Sequence, residues 1–221
     1  MTDSEQDQKT SVDTKSAIGN VDEKRHGHFR IKICISGAAE LGHLNPRVHD
    51  LAKELGRQIA LQGADITTGA TTGFPFWAAM GAKEAGGLSI GFSPAHDEKE
   101  HTEAYRLPLD FMDILIYTGF GYPGRDLFLT RSSDAVIIGP GRIGTFHEFT
   151  IAFEDDKTIG ILTSDDWETD EIIQTILSKS NRQTEDTVIF DSDPKTLVAK
   201  VIEATKKKKI NDTYCDKIYS F

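Results

Sequence analysis

The sequence predicts an α/β fold: a Rossmann-like, doubly wound, mainly parallel sheet of about seven strands with helices on both faces. Two observations indicate it. Short and nearly continuous apolar runs, typical of strands buried on both sides, recur along the chain. Segments with apolar residues at helical spacing separate them. Parallel strands joined by right-handed crossover helices form such an open sheet.

The first half of this pattern begins at residue 30, where polar and apolar residues alternate and then give way to a continuous apolar run. Pro46 suits the first turn of the helix that follows. Gly86 and Gly87 end the next helix, because glycine commonly follows the last helical residue. The elements predicted here are strands at 30–37, 65–70, 88–92 and 113–119 and helices at 46–62 and 74–85.

The second half continues the alternation. Its central feature is an almost uninterrupted apolar run at 134–140, which predicts a buried fifth strand. The elements predicted here are strands at 134–140, 158–163 and 187–190 and helices at 126–132, 144–154, 170–180 and 194–207. No internal repeat and no second core pattern is visible, so we expect a single domain at 29–208.

The remaining segments are expected to be tails. Residues 1–28 contain almost no large apolar side chains, which predicts a disordered polar tail, and 209–221 form a C-terminal tail. The two cysteines, Cys34 and Cys215, lie far apart in the chain, which favours a reducing, cytoplasmic location. We expect no membrane association, because no apolar run is long enough to span a bilayer.

The charge distribution excludes one class of partner. The chain has a formal net charge of −10, which argues against binding nucleic acid. Residues 114–153 are nevertheless balanced, with three arginines against three carboxylates. A phosphorylated small molecule is therefore compatible with this part of the chain.

Three loops rich in small residues follow predicted strands, at 36–39, 68–73 and 139–145. Ligands of open parallel sheets bind beyond the carboxyl ends of the strands. The third loop passes straight into a helix, whose first amides and dipole favour a phosphate. The alternative is that its glycines only provide a tight turn. The candidate phosphate- or nucleotide-binding residues are Ser36, Gly37, Thr72, Gly73, Gly141, Arg142, Ile143, Gly144 and Thr145.

Two charged residues are the candidate catalytic groups. Glu148 lies one helical turn after Gly144, where a carboxylate can activate water or stabilise a developing cation. Its alternative role is to complement the helix dipole. Arg125 opens the predicted helix before the fifth strand and can hold an anionic oxygen with two hydrogen bonds. Its alternative is an ordinary surface ion pair.

These motifs resemble the LOG family, once labelled "possible lysine decarboxylases", which includes cytokinin riboside 5′-monophosphate phosphoribohydrolases. The run Pro-Gly-Arg-Ile-Gly-Thr-Phe-His-Glu at 140–148 is similar to the family motif P-G-G-x-G-T-x-x-E. Arg125, nine residues before Asp134, resembles the catalytic arginine of the family. The segments 69–73 and 81–87 are similar to its G-G-x-x-G segment and following helix, and the resemblance spans about 31–162.

The resemblance implies a nucleoside 5′-monophosphate N-glycosidase that releases free base and ribose 5-phosphate without a metal or a cofactor. Glu148 and Arg125 would be catalytic, and the 141–145 loop would hold the phosphate. It also implies a homodimer whose ligand is an AMP-like small molecule.

Several positions depart from the family pattern. Arg142 and Ala70 each replace a glycine, Pro75 and Phe76 stand where the family has Met followed by Gly or Glu, and His147 replaces a second glutamate. The segment 119–124 resembles the branch of molybdenum-cofactor carriers, which bind a phosphorylated pterin without hydrolysis. The alternative function is therefore a non-catalytic nucleotide sensor or a carrier of a phosphorylated cofactor such as molybdenum cofactor.

Two further groups have open roles. His96 and His101 flank an acidic stretch, but spacing fixes no third ligand, so no metal site is predicted. Phe74, Phe76 and Trp77 either stack on a base or belong to the core.

Overall fold

The computed structural model describes residues 30–182 and 187–213. Its seven strands form one sheet in which every neighbouring pair is parallel, in the order β4-β3-β2-β1-β5-β6-β7. The predicted Rossmann-like α/β fold is confirmed. The strands are β1 Lys32–Ser36, β2 Asp65–Thr68, β3 Ser89–Ser93, β4 Ile114–Tyr117, β5 Ala135–Ile138, β6 Thr158–Leu162 and β7 Val188–Asp191.

Six α-helices of the described chain cover the two faces of the sheet. They are α1 Arg47–Leu61, α2 Phe74–Glu84, α3 Gly121–Ser132, α4 Ile143–Glu154, α5 Thr169–Ser180 and α6 Pro194–Thr213. Helices α1, α2 and α6 bury their apolar side chains in one core, and α3, α4 and α5 bury theirs in another on the opposite face. Of the helices in the described ranges, none is both long and apolar enough to cross a membrane.

The central strand β1 contributes to both cores because successive side chains of a strand point to opposite faces. Ile33 and Ile35 pack with α1 and α2, whereas Cys34 packs with α3 and α4. Ser36, two residues after Cys34, therefore faces α4. This parity matters for the site, because α4 carries Glu148.

The difference from the predicted elements that most affects the site is the start of α3. The helix begins at Gly121, five residues before the predicted start at 126. The glycines and proline of 119–124 are typical of a loop. Pro123, however, lies in the first turn of the helix, where a backbone N–H has no intrahelical acceptor and proline is therefore tolerated. Arg125 and Asp126 consequently lie inside the helix rather than at its beginning.

The predicted tails fall almost wholly outside the described residues. Residues 1–28 lie outside them, and so do 214–221. Within the described part, α6 continues to Thr213, six residues beyond the predicted helix end at 207. A short π-helical turn, Glu100–Ala104, was not predicted either.

The ligand-binding edge of this fold is set by the divergence of β1 and β5. The chain winds outward from β1 to β4 and then resumes at β5, on the other side of β1. The loops that follow β1 and β5 therefore leave in opposite directions and open a crevice at the carboxyl ends of the strands.

Glycines draw the loops of this crevice together around Phe74, which is fully buried and belongs to the core. A Cβ at Gly37 would lie 2.8 Å from the Phe74 side chain, and a Cβ at Gly139 would lie 2.4 Å from its ring atom Cζ. The N–H of Ala38 donates to the carbonyl of Pro140 at 2.6 Å, and the N–H of Phe74 donates to the carbonyl of Ala38 at 2.8 Å.

Replacing Gly139 by alanine is expected to lower the free energy of unfolding by about 1–3 kcal/mol, because the new methyl group overlaps the Phe74 ring. The matched control is Gly42→Ala, since a Cβ at Gly42 meets nothing within 4 Å. Urea unfolding of both variants measures the difference. Equal stabilities of the two variants would show that the ring does not restrict this position.

Candidate functional site

A cleft of about 350 Å³ lies at the crevice between β1 and β5. The loops after β1, β2 and β5 and the first turns of α3 and α4 form its walls. The candidate residues that line it are Gly37, Arg125, Arg142, Gly144, Thr145 and Glu148. The structure thus brings together the arginine, the glycine loop and the glutamate that the sequence singles out.

Glu148 is the buried acid of this cleft, with 8% of its surface exposed. The hydroxyl of Ser36 donates a hydrogen bond to its Oε2 atom. Burial raises the pKa of Glu148 to about 7. The charge of Arg125 lowers this pKa, Asp126 raises it, and the hydrogen bond from Ser36 lowers it. Glu148 therefore exchanges a proton near neutral pH.

Arg125 lies beside Glu148 and is 6% exposed. Its Nε atom is 3.0 Å from Oδ1 of Asp126, yet the angle leaves this N–H without a hydrogen bond. The guanidinium fills the space beside Gly69, where a Cβ would lie 1.4 Å from Nη1. It also lies 5.6 Å from the centre of the Tyr122 ring. Gly69 therefore leaves room for the guanidinium in this position, and a larger residue there would displace it.

Asp126 is a site residue that the sequence analysis missed. Its Oδ2 atom is 2.9 Å from Nδ1 of His147, and its other oxygen faces Arg125. Its negative charge, and a hydrogen bond between the two carboxyl groups, raise the pKa of Glu148. In a helix starting at 126 this aspartate would be a first-turn residue. The earlier start of α3 turns it toward α4 instead.

The glycine loop offers fewer amides than predicted. The N–H of Gly141 donates to Oγ1 of Thr169 at 2.8 Å, and the same hydroxyl donates to the carbonyl of Gly141 at 3.1 Å. The Gly141 amide is therefore engaged within the protein. Gly144 and Thr145 lie in the first turn of α4, whose amides have no intrahelical acceptor. These two amides remain the candidates for an anion.

Arg142 stands at the mouth of the cleft. Its side chain is 68% exposed, and its one ion pair among the described residues is with Glu40, at 3.8 Å. Such a loose contact leaves the guanidinium available to a ligand. Arg142 also lines a second cleft on the far side of the 139–142 loop, together with Gly141 and Ile143.

The remaining candidates support the loops rather than line the first cleft. The hydroxyl of Thr72 donates to the carbonyl of Ala39 at 2.9 Å. Gly73 has a positive φ of 72°, and a Cβ there would lie 2.1 Å from the carbonyl oxygen of Ala38. Their neighbours Gly69 and Thr71 face the cleft instead.

The histidines near β3 have structural partners. His101 is fully buried, with Nδ1 2.8 Å from the hydroxyl of Ser93 and Nε2 3.1 Å from the carbonyl of Pro108. His96 is exposed and pairs with Glu100. Within the ranges 30–182 and 187–213, no group of three or more His, Cys, Asp or Glu side chains is arranged to hold a metal ion.

Comparison with known proteins places these features in a family context. The model described as the "SLOG cluster4 family" matches residues 30–198. An uncharacterized protein of Archaeoglobus fulgidus is 30% identical over 132 residues, which cover 60% of this chain and 82% of that protein. These findings agree with the LOG-like relationship that the motifs predict.

Two solved structures are similar over most of the chain. The molybdenum cofactor binding protein of the phototrophic bacterium Rippkaea orientalis is 29% identical with a TM-score of 0.63, covering 82% of this chain and 99% of that one. The molybdenum cofactor carrier protein of Chlamydomonas reinhardtii is 27% identical with a TM-score of 0.64, covering 80% and 99%.

The raised pKa of Glu148 predicts a pH-dependent stability. The folded protein holds this proton up to about pH 7, whereas the unfolded chain releases it near 4.5, so the free energy of unfolding falls as pH rises between these values. The loss is on the order of 3 kcal/mol. Glu148→Gln is expected to remove it, whereas Glu171→Gln on the exposed face of α5 retains it. Urea unfolding from pH 5 to 8 measures both, and parallel curves for Glu148→Gln and the unmodified protein would refute the assignment.

Proposed function

The chain belongs to the SLOG cluster4 family, and from that premise we propose that it binds a phosphorylated cofactor and carries it without breaking it down. The ligand class is a phosphorylated pterin of the molybdenum-cofactor type. The observation that carries this proposal is Arg142, an exposed cation at the mouth of the cleft where the hydrolytic motif has a glycine. The similarity to two proteins named for molybdenum cofactor supports it.

The electrostatics of the cleft suit a phosphate. The amides of Gly144 and Thr145 and the positive end of the α4 dipole point to one side of it. Arg142 adds an exposed guanidinium at the mouth. Glu148 does not oppose an anion strongly, because a pKa of about 7 leaves it substantially neutral at neutral pH. The acidity of the whole chain lies elsewhere, since residues 114–153 are balanced.

The same features weigh against hydrolysis as the main function. Stabilising a ribosyl cation requires an ionised carboxylate, and burial holds Glu148 partly protonated. Arg142 and Pro75 both occupy the cleft wall. Arg142 is bulkier than the glycine of the hydrolytic motif, and Pro75 puts a rigid ring where the family has a flexible methionine, so both change the space in which a ribose would be attacked.

Replacing Arg142 by alanine is expected to weaken binding of a pterin monophosphate roughly tenfold or more, because a charge-assisted hydrogen bond to the phosphate is lost. Thermal stabilisation by increasing ligand concentration measures the affinity. Arg182→Ala is the matched control, since Arg182 is exposed and pairs with Glu154 away from both clefts. Equal affinities of the two variants would contradict a phosphate contact by Arg142.

A second candidate function is the phosphoribohydrolase reaction on a nucleoside 5′-monophosphate. One observation favours it: Arg125 and Glu148 line the same cleft, and the hydroxyl of Ser36 orients the carboxylate. In this reaction the C–N bond to the base breaks, the base leaves with the bonding electron pair, and water attacks the ribosyl cation. Ionised Glu148 would stabilise that cation and accept the proton of the water.

This second function predicts free base and ribose 5-phosphate when the protein is incubated with a panel of nucleoside monophosphates that includes AMP. Glu148→Ala is expected to lower the rate by at least a hundredfold. Chromatography of the products measures it. The absence of release from every nucleotide, with the unmodified protein no different from Glu148→Ala, would exclude the reaction.

We retain three expectations about the setting as part of this proposal. The ligand is a small molecule rather than nucleic acid, and the location is cytoplasmic. The chain is a homodimer, for which exposed apolar side chains on β4 and α3 provide a surface that includes Ile114, Ile116 and Phe128. Sedimentation equilibrium tests the dimer.

A further inference from the structure

A second cleft, of about 510 Å³, adjoins the first one. It lies between the start of α4 and the segment 166–172, on the far side of the 139–142 loop. The two clefts share Ala38 and Arg142. The wall between them is firm, because the Thr169 hydroxyl bonds both the N–H and the carbonyl of Gly141. A phosphate at the start of α4 would therefore lie within reach of either cleft.

The side walls of the second cleft are apolar. Ile143, the first residue of α4, is 82% exposed, although it is a large aliphatic side chain. Phe146 and Ile172 continue this surface on α4 and α5. Trp167 offers only its apolar face, because its indole N–H donates to the carbonyl of Leu162 at 3.3 Å. Such walls favour a flat ring that gains by leaving water.

One edge of the second cleft is acidic. Asp166 and Glu168 line it, and Asp166 accepts one hydrogen bond from the Asn45 amide at 3.2 Å. The Glu168 side chain forms no hydrogen bond or ion pair with the residues that the structure describes. Carboxylates accept hydrogen bonds and repel anions, so this edge suits ring N–H and amino groups and excludes the phosphate.

The geometry points to the second cleft as the site of the ligand's heterocyclic ring, with the phosphate at the start of α4 beside Arg142 and the Glu168 carboxylate on the ring's amino edge. The ring chemistry is that of a 2-amino-4-oxopyrimidine, which pterins and guanine share. This inference rests on the proposed function and extends it by assigning the ring to a cleft.

The assignment has a consequence for turnover. Glu148 lines the first cleft and not the second. A ring held in the second cleft therefore lies on the other side of the loop from the carboxyl group, and the bound molecule is retained unchanged. A nucleotide positioned for hydrolysis would instead place its ribose beside Glu148.

The experiment compares a pterin monophosphate with its lumazine counterpart, in which oxygen replaces the 2-amino group. The unmodified protein is expected to bind the pterin roughly tenfold more tightly, because the lost amino group leaves Glu168 without its donor. Glu168→Gln is expected to abolish this preference, and its matched control Glu171→Gln to keep it. Ile143→Asp is expected to weaken both ligands about tenfold, whereas Ile176→Asp, on the exposed face of α5, leaves both unchanged.

A parallel pair, GMP and inosine monophosphate, identifies the source of the ring. Whichever of GMP and the pterin monophosphate has the lower Kd identifies the ring that the second cleft prefers. Loss of the preference for GMP over inosine monophosphate in Glu168→Gln supports the same contact. Equal affinities for the pterin and lumazine compounds, or a preference for the amino compound that survives Glu168→Gln, would overturn the inference. If binding still depends on Arg142 in that case, the proposed function stands. No binding of any of these phosphates would overturn both.

Discussion

The close approach of three loops around Phe74 is the constraint on which the site depends. The ring lies under Gly37 and Gly139, and no larger residue at either position leaves room for it. Backbone hydrogen bonds between the loops after β1 and β5 then fix the floor of the cleft. The positions of Ser36 and of the 139–145 segment follow from this floor, because each is joined directly to it.

Burial is the second determinant of the chemistry. Asp126 and Glu148 face each other beneath the cleft, with Arg125 next to both and the half-buried His147 beside Asp126. Two carboxyl groups and one guanidinium in a poorly hydrated space cannot all be charged without cost. The protein resolves this by holding a proton at Glu148 to near neutrality. Whether a ligand releases that proton decides which of the two candidate functions the same residues serve.

The sequence predicted the fold well because local patterns determine most of it. Buried parallel strands are continuously apolar, and each predicted strand is present within a few residues of its expected position. The start of α3 was misplaced because glycine and proline are common both in loops and in first turns, and only the contacts with neighbouring elements distinguish the two. That error hid Asp126, whose partner lies 21 residues away. The engaged Gly141 amide and the second cleft depend on Thr169 and on the segment 166–172, which no local pattern connects with the glycine loop.

Cys34 gives the centre of the molecule a chemical property of its own. It is fully buried under Glu148, and burial followed by the charge of that carboxylate raises the pKa of its thiol well above the usual value. A thiol in this state reacts with alkylating reagents only when the sheet opens locally. The rate at which Cys34 is labelled therefore reports how often β1 separates from α4. The thiol is thus a built-in probe of local opening beneath the crevice.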